Sequence, residues 1–151
     1  MATARAEVIS LLDAFQAAER AGADAVGRWI AACGDPRLRG GLRVIESRDR
    51  RHAALATARL VALGGRPVAH VDRDLSALCG VVSDPGISDR SKIALLLSRF
   101  PPLRDAPLDD LVRRVEGDAE THALLETIGD DERASLGWLR RMSEALAREE
   151  T

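Results

Sequence analysis

A chain of 151 residues, 46% hydrophobic and 30% charged, is one domain's worth of globular sequence. At that size a fold buries about 70% of the surface its unfolded form exposes, so it needs neither disulfides nor metal merely to hold together. The formal charge of −2, from 22 basic and 24 acidic residues spread along the chain, gives no net pull on a phosphate backbone and argues against a nucleic-acid binder.

No stretch approaches the ~20 apolar residues of a membrane-spanning helix. The opening MATARAEVISLLDAF lacks the h-region of a signal peptide, so the expected address is the cytoplasm. Cys33 and Cys79 are too far apart for a C-x-x-C motif and read as two thiols. The aromatic residues are Phe15, Trp29, Phe100 and Trp138, too few to stack single-stranded bases, and with no tyrosine a tyrosyl radical is excluded.

In chain order, Val8, Leu12, Phe15, Val26, Trp29, Ile30 and Cys33 recur at the helical period and predict a helix near 5–33, stopped by Gly34-Asp35-Pro36. Leu42, Ile45, Ala56, Leu60 and Leu63 predict a second near 37–63, ended by Gly64-Gly65 and Pro67. The short connection makes the two an antiparallel hairpin. Residues 68–87 carry Asp72, Asp74, Gly80, Pro85 and Gly86 among short apolar pieces, and are expected to be a mostly irregular crossover with at most one short helix. A third helical run is expected over 89–115, with Ile93, Leu96, Leu97 and Phe100 inward and a break at Pro101-Pro102. Asp118 caps a last run to about 148, with Thr121, Leu124, Ile128, Ser135, Leu139, Met142 and Leu146 on one stripe. The expected architecture is all-α: a single domain over 1–151 forming a four-helix bundle, two antiparallel helix pairs joined by a long crossover.

Several inward positions are polar. At ~100° per residue, Glu19 falls within about 20° of Val8 and Val26, in the middle of the first stripe. Asp49 and His52, three apart, share the face of Ile45 and Ala56, while Glu132 lies about 40° from Ile128, with Ser135 about 20° to its other side. Carboxylates converging on a core need a cation, a proton or good donors. His70, in the crossover, and His122, off its stripe, read as surface histidines, and Asp130-Asp131-Glu132 after Gly129 has a second reading as a solvated acidic cluster.

Glu19 in AERAG, Asp49 and His52 in DRRH, and Glu132 and Ser135 in DERAS together resemble the ferritin-like bundles. In these the first helix gives a Glu, the second and fourth each give Glu-x-x-His, and the third gives another Glu. The string IESRDRRHAAL followed by LGG and Pro67 looks most like small bacterial ferritin-like proteins, whose activity is largely unassigned. Asp49 stands where that pattern has Glu, Ser135 where it has His, and the third run offers no Glu. The resemblance implies half of a two-metal site: Glu19, Asp49, His52 and Glu132 around one Fe, Mn or Zn ion, without the ligands of a second. The competing reading of the same residues is a hydrogen-bonded network with nearby arginines that holds no metal. On that reading the chain is a metal-free bundle acting as a dimerisation or protein-interaction module. A homodimer through an apolar face around Val81, Val82 and Leu95 is expected on either reading.

Overall fold

The computed structural model describes residues 2–99 and 108–150, with side chains from Arg5 onward. Every regular element among them is a helix: α1 (Ala2–Ala32), α2 (Pro36–Ala62), α3 (Arg73–Ser83), α4 (Asp89–Ser98), α5 (Asp109–Arg114) and α6 (Ala119–Glu149). None is long and apolar enough to cross a membrane.

The local chemistry accounts for the ends. Asp35 caps α2 by accepting from the Arg37 N–H, and Pro36 opens the helix where a missing N–H costs nothing. At its far end Gly64, with φ of +93°, closes a Schellman motif in which the Gly65 N–H bonds Leu60 O and the Gly64 N–H bonds Val61 O. Asp118 caps α6 through the Thr121 N–H, and the helix continues through a buried Gly129 without a break.

Among the described residues six helices stand where four were expected, for two reasons. The third run is divided into α4 and α5, which flank residues 100–107; the break expected at Pro101-Pro102, and Phe100 itself, lie outside the described residues. The crossover 68–87, expected to be mostly irregular, is helical over eleven of its twenty residues. Asp72 and Asp74 looked like interruptions, but Asp72 is the N-cap of α3, accepting from the Leu75 N–H, and Asp74 sits in the first turn, where the helix dipole favours an anion. The helix stops at Ser83, ahead of Pro85.

Contacts at both ends of each pair fix the directions. Arg5 donates to Leu63 O and Arg39 to Cys33 O, so α1 and α2 lie antiparallel. Arg37 pairs with Glu149 at one end of α2, and Arg59 with Asp118 and Glu120 at the other, so α2 and α6 are antiparallel as well. Arg90 with Glu150, and Arg133 with Asp109, set α4 and α5 against α6 in the opposite sense. The crossover is tied to α1 by Asp13, a buried carboxylate accepting from the backbone N–H groups of Val68 and Ala69 and from Gln16. Burial works against its charge, but these donors outweigh burial and hold the Asp13 carboxyl below the usual range.

Two apolar clusters fill the interior. One gathers Trp29, Leu38, Leu42, Ile93, Leu136 and Leu139; the other gathers Leu12, Phe15, Ala56, Leu60, Leu125 and Ile128. A fully buried side chain of this kind contributes about 1.5–3 kcal/mol, so both clusters outweigh any single polar contact. On α1, α2 and α6 alike, the residues between the two clusters are the polar ones picked out from the stripes. Val82 belongs to the first cluster, and Val81 and Leu95 are half-buried, so the face expected to remain apolar and exposed is exposed only in part. Among the described residues the large apolar side chains that face solvent are Val44, Leu55, Val61 and Val68.

The crossing of α2 on α6 gives a direct test of packing. A Cβ at Gly41 would fall inside the Trp138 ring, whereas one at Gly40 would meet nothing within 4 Å. Gly40→Ala is expected to stabilise the protein by about 0.5–1 kcal/mol through helix propensity, and Gly41→Ala to destabilise it by about 1–3 kcal/mol through overpacking. Denaturant midpoints of the two variants that move in the same direction would refute this account of the crossing.

Candidate metal centre

Glu19, Asp49, His52 and Glu132 occupy one polar layer between the apolar clusters. Each offers a ligand atom, and these four atoms all lie within 4.8 Å of one another. The sequence placed all four inward on three helices, and the fold brings all four together. The His52 side chain is 1% exposed, with Nδ1 3.1 Å from Glu132 Oε1 and 3.7 Å from Glu19 Oε2. Because α6 runs unbroken through Gly129, Glu132 faces inward and the solvated-cluster reading of this residue falls.

No protein-family profile, curated protein or solved structure matches this chain. The chemistry therefore has to be read from the side chains themselves.

Asp131 is the partner that the stripes did not single out. Its Oδ2 lies 2.9 Å from His52 Nε2, on the opposite side of the ring from the carboxylate cluster. It sits about 60° from Ile128 around α6, at the edge of the inward arc, and that edge position was the one available signal. A carboxylate on the remote nitrogen is the usual way to fix the tautomer and orientation of a ligating imidazole. With Nε2–H donated to Asp131, Nδ1 presents its lone pair to the cluster whenever it is not protonated.

Burial shapes the protonation of the cluster. Desolvation, followed by the charges of Glu19 and Glu132, pushes the Asp49 carboxyl up to about 9. Desolvation raises Glu19 to about 7, against the hydrogen bond from His52. Burial disfavours the His52 imidazolium, but hydrogen bonds to Glu132, Glu19 and Asp131 outweigh it and raise His52 to about 10. The metal-free cluster is thus held together by protons: an imidazolium donating from both nitrogens, and carboxyls that share a proton.

The neighbouring positions on α6 and α4 carry other chemistry. Ser135 is buried and accepts a hydrogen bond from Arg48 Nη1 at 3.1 Å, so a guanidinium stands beside the cluster. From α4 come Ile93, Leu96 and Leu97, which pack in the first apolar cluster. The buried charged residue of that helix is Lys92, whose Nζ lies 5.6 Å from the centroid of the Trp29 ring. Trp29 Nε1 donates to Asp89 at 2.8 Å, so this tryptophan has a packing role and a polar partner. His70 is exposed, and His122 pairs with Glu126 on the α6 surface, both as expected.

One imidazole nitrogen and three carboxylates form a hard-to-borderline donor set that fits Fe(II), Mn(II) or Zn(II) and does not fit a soft-ligand metal such as Cu(I). The residues present could therefore hold one metal ion. Beside the cluster, among α1, α2, α3, α4 and α6, lies a half-open pocket of about 250 Å³ whose polar lining is Glu19, Asp49, Glu132 and Ser135.

Proposed function

We propose that this chain is a ferritin-like four-helix bundle, two antiparallel helix pairs joined by a crossover, that binds a single divalent transition metal. Glu19, Asp49, His52 and Glu132 are its ligands, and Asp131 orients the imidazole. The observation that carries this reading is the convergence of four potential ligand atoms, from three helices, within 4.8 Å of one another in a protein interior. A bound ion would supply a Lewis-acidic centre; the chain's own residues hold it, neutralise it and shield it from solvent. The single-metal stoichiometry follows from Ser135 and its Arg48 partner standing where a second metal would need an imidazole.

A second reading has its own support, since His52 is already hydrogen-bonded through both ring nitrogens without a metal. On that reading the cluster is a proton-held network and the chain a metal-free module that works as a homodimer. Metal stoichiometry separates the two. Protein stripped with a chelator is expected to take up one Mn(II), Fe(II) or Zn(II) per chain. At a hundred times the dissociation constant, binding stabilises the fold by about 2.7 kcal/mol, or roughly 5–10 °C in melting temperature for a domain of this size. Glu19→Ala and His52→Ala are expected to abolish both uptake and the gain. A melting temperature indifferent to all three metals, with no ion retained after desalting, would leave the metal-free module as the correct reading.

A further inference from the structure

The pocket beside the cluster has a polar part and walls that are aliphatic apart from the Cys79 thiol. Leu75, Leu78 and Val82 of α3 face Val26 of α1, Ile45 of α2 and Leu96 of α4 across it, and no basic or aromatic side chain lines it. At about 250 Å³ it is a half-open pocket with room for a small molecule. A dry cavity of about 150 Å³ accommodates benzene, so this space suits a molecule of roughly eight to ten non-hydrogen atoms.

The charge at the polar end decides the head group. Three carboxylates and one divalent ion sum to one negative charge with a neutral His52, and the two charges that flank them, Arg48 on Ser135 and Asp131 on His52, offset each other. An anionic head is repelled, and an ammonium head competes with the metal for the same carboxylates. A neutral oxygen donor does neither: its lone pair reaches the ion and its O–H donates to a carboxylate. We infer that the cavity is the binding site of a small neutral aliphatic molecule, a primary alcohol of about six to eight carbons in chemical class, with its hydroxyl at the metal and its chain between α1, α3 and α4. This inference rests on the metal reading above and adds the ligand class to it.

The test uses Co(II)-loaded protein and the straight-chain alcohols from 1-butanol to 1-decanol, read by the visible cobalt bands and by melting temperature. Each added methylene is expected to strengthen binding about fourfold, up to six to eight carbons and no further. The length limit is the signature of a pocket of finite depth, since partition onto a surface keeps strengthening with chain length. Leu78→Phe should shorten the accepted chain and weaken 1-hexanol binding about tenfold, and Leu78→Ala should lengthen it, with cobalt uptake measured on each variant. Hexanoate or hexylamine binding more tightly than 1-hexanol overturns the head-group assignment. Cobalt bands that form normally but ignore every alcohol overturn the cavity site while leaving the metal site standing. Failure to take up cobalt at all overturns the metal site itself, and this inference with it.

Discussion

Asp49→Asn is expected to make the metal-free protein more stable at pH 8 and, at the same time, to remove its response to metal. Asp49 is pushed up to about 9 by burial and by the carboxylates of Glu19 and Glu132, so near neutral pH the folded state holds a proton that the unfolded state has released. Each pKa unit of that difference is worth about 1.4 kcal/mol, and the amide of Asn supplies the donor toward Glu19 without needing a proton. We expect a gain of about 2–4 kcal/mol at pH 8, roughly 5–10 °C in melting temperature. The same substitution replaces a carboxylate ligand by a neutral amide, so added Mn(II) or Zn(II) should no longer raise the melting point. Loss of metal-free stability at pH 8 would mean that Asp49 acts as a charged partner and that the proton-held account of the cluster is wrong.

The pH profile of the parent protein follows from the same groups. Glu19 and Asp49 have folded values raised to about 7 and 9, so they impose no penalty below about pH 4 and one that grows as pH rises from there to those values and is constant above them. His52, raised to about 10, contributes stability that is complete below about pH 6.5 and is lost as pH rises through 10. All three slopes run downhill toward alkali. Asp13 and Asp118, held low by their donors, contribute stability that is lost on acidification below the usual carboxylate range, which sets the acid limb. The metal-free protein should therefore be most stable in mildly acidic solution. Metal binding has the opposite pH dependence, because the ion replaces protons on His52 and on the shared carboxyls. The metal-induced gain should grow from pH 5 to pH 8, with calorimetry in buffers of different ionisation enthalpy reporting protons released per ion.

Asp131→Ala is expected to weaken metal binding by about 10- to 100-fold, the usual cost of removing the carboxylate behind a ligating imidazole. Asp131 is not among the four converging ligands and its side chain is 39% exposed, so the unfolding of the metal-free variant should change far less than that of His52→Ala. Asp131→Asn keeps an oxygen to accept the Nε2–H and should recover part of the affinity. Titration with Zn(II) against a competing chelator reads all three proteins. Equal affinities would show that His52 is positioned by packing alone, and a loss in Asp131→Ala that Asp131→Asn does not recover would assign the effect to charge.

Much of this molecule was legible before folding. The apolar stripes and their stops located α1, α2 and α6 within three residues at each end, because Asp35-Pro36, Gly64-Gly65 and Asp118 act on the backbone next to them. The same periodicity placed Glu19, Asp49, His52 and Glu132 inward, since direction around a helix is a property of one helix alone. It could not bring residues from different helices to one level. That was decided by how α1, α2 and α6 pack, with the apolar clusters above and below leaving a single polar layer between them. Asp131 escaped because a residue at the edge of an arc has no role until a partner such as His52 arrives from another helix. The crossover misled for a different reason: Asp72 and Asp74 read as interruptions although Asp at a cap and in a first turn starts a helix locally, and packing against α1 then holds α3 in place. Sequence by itself thus determined which residues each helix presents to the interior, through interactions a few residues long. The tertiary structure alone decided which of those residues meet, because contact between helices depends on packing geometry that no local pattern encodes.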